Sequence, residues 1–321
     1  MKKLSAKLTS AIAAAALTVG LAACSASGGG ANSNLSIATG GSSGVFYVLG
    51  AGMADIVSSN DSGLTLQAQA TAATEENLRL VQSGNADFAF SVYDAAVDAY
   101  NGAEEYGQKY DNVRLVMPGH VGYQHVIVMA NSDVQSFSEL GSKRLGISPG
   151  RVGEKLAGAV GSPSGTPFES MNTLALSYRE QADALKDGTI DAASILAGLP
   201  ASAVVELKTG QDIRIVSLTP EEQEKILEEN PSWTAATIPA DVYGTEEDIV
   251  TFAVPYVIVA NKDVAPEAVY EFMDKVYSNG DRVQATHAEG KAYAFDNPLF
   301  EQDPLIPWHE GAQQYINDHK K

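Results

Sequence analysis

The sequence predicts an α/β protein built from two similar halves, each with a mostly parallel sheet covered by helices. Short apolar strands alternate with segments of helical periodicity, which is the order that produces parallel sheets. A second observation is a repeated unit, in which a helix ends at a glycine and an Asp three residues later leads into an apolar strand. The unit occurs at Gly84 and Asp87, and again at Gly188 and Asp191.

The first half follows the order strand, helix, strand, helix, strand. Thr74 opens its second helix, because Glu75 and Glu76 place two acids in the first turn, and Gly84 ends that helix as a C′ glycine. The predicted strands lie at 35–39, 64–70 and 88–90, and the first helix lies at 45–57.

The second half repeats this order. Pro149, Gly150 and Arg151 form the turn between its first strand and first helix, and Gly188 ends its second helix. Strands are predicted at 144–148, 173–177 and 192–196, and helices at 152–160 and 179–186.

Two further apolar strands bracket the second half. Each ends in an Ala-Asn pair and follows a predicted loop that contains Pro118 or Pro255. We interpret them as crossings between two lobes, near 120–125 and 252–256. The predicted domains are lobe 1, residues 35–122 plus 254–321, and lobe 2, residues 123–253. Because open α/β sheets bind ligands beyond the carboxyl ends of their strands, such lobes would enclose a cleft that closes about a hinge.

The first 34 residues are predicted to be a signal peptide followed by a flexible tether. A basic start precedes a short apolar stretch, which suits a signal peptide at residues 1–23 better than a bilayer span. The stretch ends in Leu-Ala-Ala-Cys, which resembles the bacterial lipobox, so Cys24 is the predicted lipidation site. Residues 25–34 contain no aliphatic side chain larger than that of Ala. Residues 24–34 are therefore predicted to form a flexible tether. The protein is therefore expected outside the cytoplasm, anchored to the cell membrane by lipid.

Composition excludes several classes of function. The chain has 40 acidic and 21 basic residues, a net charge of -19, and removal of the leader with its three lysines leaves 18 basic residues. Such a surface repels phosphate backbones, so nucleic-acid binding is not expected. Cys24 is the one cysteine, the five histidines lack metal-site spacing, and neither a phosphate-binding loop nor a dinucleotide fingerprint is present. No metal, cofactor or enzymatic activity is therefore predicted.

The chain resembles the solute-binding proteins of TRAP transporters, specifically the TAXI family, over nearly all of its mature length. The matching segments are collinear: Ile37-Ala38-Thr39-Gly40-Gly41, Glu76-Asn77-Leu78-Arg79-Leu80, Asp94–Tyr100, Leu185–Ala192, Ala197-Gly198-Leu199-Pro200, Thr237-Ile238-Pro239-Ala240 and Pro307-Trp308-His309-Glu310-Gly311-Ala312. The resemblance implies a type II periplasmic-binding fold and a monomer that hands a small organic anion to TRAP-type membrane subunits. Glutamate or a related dicarboxylate is the ligand class it implies.

The candidate ligand-binding residues lie in the loops at the predicted cleft. Glycines in the turn at 39–44 let the backbone approach a ligand, and the amides at the following helix start favour a carboxylate. Arg151 adds a planar cation at another helix start, in a stretch that departs from the family pattern, as does Tyr93. Thr71 and Thr74 can cap a helix or bind a ligand, and the position of Thr74 at a helix start favours capping. The full set is Thr39, Gly40, Ser43, Gly44, Tyr47, Thr71, Thr74, Tyr93, Arg151, Val152, Gly198 and Pro200.

Two alternative functions remain open from the sequence. Residues 40–44 match the G-x-S-x-G pattern of hydrolases with Ser42 as nucleophile, although no motif marks an Asp or His partner. Labelling by a fluorophosphonate probe would support this alternative. A surface antigen that kept the fold and lost its ligand would instead show no stabilisation by any small solute.

Overall fold

In the computed structural model, which describes residues 34–42, 44–59, 63–301 and 303–320, the strands join into one mixed sheet. The strands are β1 Asn34–Ala38, β2 Thr65–Gln69, β3 Phe88–Val92, β4 Val113–Met129, β5 Arg144–Ile147, β6 Asn172–Ala175, β7 Ala192–Ala197, β8 Ile213–Ile215, β9 Thr234–Ile238 and β10 Ile249–Asn261. The predicted signal peptide, Cys24 and nearly all of the tether lie outside the described residues, as does Ser43.

Helices cover the sheet and follow its strands. They are α1 Val45–Ser59, α2 Thr74–Gln82, α3 Tyr93–Asn101, α4 Arg151–Gly161, α5 Tyr178–Lys186, α6 Ser202–Gly210, α7 Pro220–Glu229, α8 Ala240–Tyr243, α9 Pro266–Ser278, α10 Gly280–Thr286 and α11 Glu310–His319. Across the described part of the chain, no helix has the length and apolar character needed to cross a bilayer.

The sheet consists of two parallel groups joined by antiparallel strands. Its order is β2-β1-β3-β10-β4-β7-β5-β6, with β9 paired to β10 and β8 paired to β4. The pairs within β1–β3 and within β5–β7 are parallel, whereas β4 and β10 run antiparallel to each other and to their neighbours. The α/β fold class is confirmed, and the parallel pairing holds in both groups but not at the centre of the sheet.

The repeated Gly and Asp unit has a physical explanation in the two groups. Gly84 and Gly188 both adopt a left-handed backbone, with φ of 71° and 69°, at the ends of α2 and α5. Asp87 then accepts a hydrogen bond at 2.7 Å from the backbone N–H of Ser36 in β1. Asp191 accepts one at 2.8 Å from the backbone N–H of Arg144 in β5. Each Asp therefore fixes the first strand of its group beside the third.

The long strands β4 and β10 correct one prediction. The sequence predicts Pro118 and Pro255 in loops, but both lie inside strands that continue past them. The register between β4 and β10 shifts between Pro255 and Val257, and Val257 pairs with Pro118. A proline removes one ladder hydrogen bond, and an irregularity in the register is where a strand can tolerate that loss.

The pairing of β4 and β10 changes partner along their length. The first part of β4 pairs with β10, and its later part, Tyr123–Ile127, pairs with β7. The later part of β10, Tyr256–Ala260, pairs with β3, and its beginning pairs with β9. The two strands therefore connect the parallel groups at the segments where the sequence predicts the crossings, and the division into two lobes stays a prediction.

Candidate ligand-binding site

A cleft of about 510 Å³ opens at the carboxyl ends of β1 and β7. The loop after β1 contributes one side, and the loop after β7 contributes the other. Strands β4 and β10 add the side chains of His120 and Tyr256, and a short 3₁₀ segment after α10 adds Glu289. The cleft thus draws on both parallel groups and on the strands that join them.

The loop after β1 brings the start of α1 to the cleft. Gly40 is buried, and a Cβ at this position would lie 3.6 Å from Cβ of Phe46 and 3.7 Å from Cβ of Ala73. The N–H of Gly44 donates to the carbonyl of Gly41 at 2.7 Å, which closes the turn directly before the helix. The first-turn amides of α1, at Val45 and Phe46, therefore belong to residues that line the cleft.

The loop after β7 presents a second helix start. The N–H of Ala201 donates to the hydroxyl of Tyr243 at 2.7 Å, and this bond fixes the residue that precedes α6. The carbonyl of Ala201 accepts from Val204 and Val205. The remaining first-turn amides of α6, at Ser202 and Ala203, also belong to residues that line the cleft. Two helix N-termini from different groups therefore border the same space.

Aromatic side chains form the walls. The rings of His120 and Tyr256 have centroids 4.5 Å apart, and Phe46 meets Tyr256 edge-on at 5.2 Å. Nδ1 of His120 lies 3.0 Å from the hydroxyl of Tyr293. Burial lowers the pKa of His120 to about 3, with a smaller contribution from nearby His287. The His120 ring is therefore neutral at physiological pH and acts as an aromatic and hydrogen-bonding surface.

Glu289 is the one acidic side chain among the described residues that line the cleft, and none of those residues is Lys or Arg. Burial raises the pKa of its carboxyl, while His287, Lys291 and the backbone N–H of Leu199 act in the opposite direction. Because no Lys or Arg of the described residues lines the cleft, its positive electrostatic potential comes from the helix N-termini. Its negative potential comes from Glu289.

Comparison with protein-family models identifies the family of the chain. The NMT1-like family matches residues 37–318, which is nearly the whole described fold. The chain belongs to the NMT1-like family.

Solved structures share the fold of this NMT1-like chain at low sequence identity. A Xanthomonas citri protein solved with ATP bound matches with a TM-score of 0.56 and 14% identity, over 90% of this chain and 100% of the other. The periplasmic aliphatic sulphonate-binding protein SsuA of Escherichia coli matches with a TM-score of 0.51 and 12% identity, over 89% and 78%. A putative periplasmic sulphonate-binding protein from Methylobacillus flagellatus matches at 0.50 and 15%, over 89% and 84%. The fold is therefore that of periplasmic binding proteins.

Four of the residues that the sequence predicts as ligand contacts line the cleft of this NMT1-like protein. They are Gly40, Gly44, Gly198 and Pro200. Ser43 lies outside the described residues. The glycine turn after β1 and the loop after β7 therefore meet, as expected from their positions at the ends of parallel strands.

Other predicted residues support the loops without lining the cleft. The hydroxyl of Thr39 donates to the carbonyl of Gln69 at 2.7 Å, and the hydroxyl of Thr71 donates to Oδ1 of Asn77 at 2.6 Å. Thr74 is the first residue of α2 rather than its cap, and its hydroxyl accepts from the N–H of Val92 at 3.3 Å.

The two predicted tyrosines lie in the first turns of α1 and α3. Tyr47 is half-buried in α1. Tyr93 is buried at the start of α3, and its hydroxyl accepts from the N–H of Leu305 at 2.8 Å. Neither side chain lines the cleft, so both remain predictions as ligand contacts.

Arg151 and Val152 lie at the start of α4, away from the cleft lining. The guanidinium of Arg151 is 3.7 Å from the carboxylate of Glu154, and its side chain is 56% exposed. The N–H of Val152 donates to Oε1 of Glu75 at 3.2 Å. A carboxylate of the protein itself thus occupies the helix start at which the sequence predicts a ligand.

Sequence reasoning missed His120, Tyr178, Tyr256 and Glu289. They come from strands, a helix start and a 3₁₀ segment that are far apart in the chain, and no local motif marks them. Among the described residues, no cluster of three His, Cys, Asp or Glu side chains has the arrangement to hold a metal ion.

Proposed function

We propose that the protein is an extracytoplasmic solute receptor that captures a small organic anion by closing two lobes and delivers it to a TRAP-type membrane transporter. The proposal combines membership of the NMT1-like family, the periplasmic-binding fold, the lipoprotein leader predicted for residues 1–24 and the resemblance to TAXI-family receptors. Lipid anchoring would keep the receptor next to the membrane subunits that it serves.

The observation that carries this proposal is the convergence of two helix N-termini on one cleft. A helix N-terminus has amides without partners inside the helix and about half a unit of positive charge, and both features favour a bound carboxylate. Because residues at the starts of α1 and α6 line the same cleft, one anion can contact both helix starts. A cleft of about 510 Å³ suits a solute of the size of glutamate or a dicarboxylate.

Closure of the two lobes follows when one solute contacts the loops on both sides of the cleft. A ligand shifts an equilibrium between open and closed forms only by the difference in its affinity for the two forms. A solute that contacts the loops after β1 and β7 together makes more contacts when those loops are close. The closed form with its bound solute would then present the surface that the membrane transporter recognises.

The experiment is a thermal-shift screen of the full-length lipoprotein in detergent, followed by calorimetry on any solute that stabilises it. The panel contains L-glutamate, glutarate, succinate and an alkanesulphonate, since each is a small anion that two helix N-termini could bind. A solute at 100 times its Kd should raise the free energy of unfolding by about 2.7 kcal/mol.

Ser202→Pro tests the role of the α6 amides directly. Proline is tolerated at the first position of a helix, where it removes the N–H and leaves the helix in place. We expect Ser202→Pro to weaken binding about tenfold, the equivalent of one charge-assisted hydrogen bond. Ser202→Ala is the matched control, because it removes the hydroxyl and keeps the amide. A panel in which no solute binds, or equal affinities of the two variants, would contradict the proposal.

A further inference from the structure

Glu289 enters the cleft on a segment that the fold holds tightly. The 3₁₀ segment Ala288–Ala292 follows α10, and Nδ1 of His287 accepts a hydrogen bond from the N–H of Glu289 at 3.1 Å. Gly290 is buried, and a Cβ there would collide with the backbone of Val283. The position of the Glu289 backbone is therefore fixed by packing rather than by contact with solvent.

The Glu289 carboxylate lies directly against the opposite loop. A Cβ at Gly198 would collide with Oε1 of Glu289, so the carboxylate occupies the space that any side chain at residue 198 would need. The N–H of the next residue, Leu199, donates to the same carboxylate. A carboxylate can accept about four hydrogen bonds, so this contact leaves acceptor capacity for a ligand.

Among the described residues, no Lys, Arg or His side chain forms a close ion pair with this carboxylate. His287 and Lys291 are close enough to lower the pKa of Glu289, but burial outweighs them. Lys291 is itself exposed to solvent and does not line the cleft. The aromatic rings of Phe46 and Tyr256 contact each other and line the same cleft as Glu289.

A partly desolvated carboxylate in a cleft that aromatic rings also line is suited to a cation. Removing a carboxylate from water is costly unless an opposite charge or hydrogen-bond donors replace the water. The faces of aromatic rings attract ammonium groups, and this attraction grows when water is excluded. A plain dicarboxylate would instead bring a further negative charge to Glu289.

We propose that Glu289 is a specificity-determining residue that binds a protonated nitrogen of the solute, so that the receptor selects carboxylates that also carry an ammonium group over plain acids. This inference rests on the proposed function, because it assigns the anionic end of the same solute to the starts of α1 and α6. The cleft then binds the carboxylate of a zwitterion at the two helix starts and its ammonium group at Glu289.

The test compares pairs of ligands that differ only in the ammonium group. L-glutamate is paired with glutarate, and L-leucine is paired with 4-methylpentanoate, each titrated calorimetrically into the full-length protein. We expect at least one amino compound to bind tenfold or more tightly than its deaminated partner. Glu289→Gln should reduce that ratio at least tenfold, because the amide keeps the size of the side chain and an acceptor for Leu199 but loses the charge.

Glu169→Gln is the control, since Glu169 is exposed and lies outside the cleft. It should leave the ratio unchanged. If Glu289→Gln leaves the ratio unchanged as well, or if the deaminated acids bind wild-type protein as tightly as the amino compounds, the inference is overturned while the proposed function stands. If no member of either pair binds and no other anion of the wider panel does, the proposed function itself fails. Near-ultraviolet circular dichroism of Glu289→Gln verifies that the variant is folded.

Discussion

Helices α1 and α4 both begin after a strand and a turn that contains glycine, but their first turns have different contacts. Helix α1 follows β1 after a glycine turn, and α4 follows β5 after a turn that contains Gly150. The first turn of α1 lines the open cleft, whereas the N–H of Val152 in α4 is bonded to the carboxylate of Glu75. The same strand, glycine and helix pattern can therefore leave a helix start open for a ligand or satisfy it within the protein.

The difference extends to the contacts around each helix. On the α4 side, Nζ of Lys155 lies 3.0 Å from Asp94 and 2.6 Å from Asp98 of helix α3. The indole N–H of Trp233 donates to the same Asp94 at 3.0 Å. One apolar cluster, which includes Val92, Leu156 and Phe252, continues through this region. The α3–α4 side therefore holds the two parallel groups together, and the cleft side leaves room for a solute.

Lys155→Met should give the largest loss of stability on the α3–α4 side. Burial lowers the pKa of Lys155, but the facing carboxylates of Asp94 and Asp98 outweigh it and raise the pKa overall. The substitution leaves Asp94, which is 5% exposed, without its cation. Breaking a fully buried pair costs about 3–5 kcal/mol, and partial exposure of Lys155 reduces the expected cost to about 2 kcal/mol. Urea unfolding measures it.

Arg79→Met is the matched control for Lys155→Met. Arg79 forms an exposed pair with Glu76 at 3.7 Å within α2, and such pairs contribute less than about 0.5 kcal/mol. Equal destabilisation by the two variants would contradict the assignment of the α3–α4 side as the stabilising contact between the groups.

Glu75→Ala should have a smaller effect, because it removes one capping interaction. The carboxylate of Glu75 satisfies the Val152 amide and sits at the positive end of α4. Loss of a helix cap costs about 1 kcal/mol. Glu154→Ala, which removes the exposed partner of Arg151 and an acid in the first turn of α4 but no hydrogen bond to the Val152 amide, should cost about 0.5 kcal/mol. Denaturation midpoints that do not separate these variants would show that Glu75 is not a cap of α4.

The contrast between α1 and α4 also explains which features the sequence predicts. Glycines that end helices, and the Asp residues that follow them, act within short segments, so the sequence places the strands and helices of both groups correctly. A proline usually interrupts a strand, so the sequence predicts loops at Pro118 and Pro255, whereas the irregular pairing of β4 with β10 accommodates both within strands.

The cleft itself depends on contacts that no local pattern encodes. Gly198 and Glu289 are distant in the chain, and their approach is set by the packing of Gly290 and by the course of β7. Likewise, the start of α4 is chemically suited to an anion. Whether a ligand or Glu75 takes that position depends on which side chain the fold places opposite, and that is a tertiary property.

Arg151→Ala should have the smallest effect, and it separates the sequence-based hypothesis from the geometry. The sequence predicts that Arg151 binds the anion, in which case its loss weakens binding tenfold or more. In the structure, the Arg151 side chain is more than half exposed, pairs with Glu154 and does not line the cleft. We therefore expect affinity for the best-binding solute of the panel to change less than twofold in calorimetry, against about tenfold for Ser202→Pro. A tenfold loss in Arg151→Ala would mean that the closed form brings α4 to the ligand, and that the Glu75 contact with Val152 gives way when the solute binds.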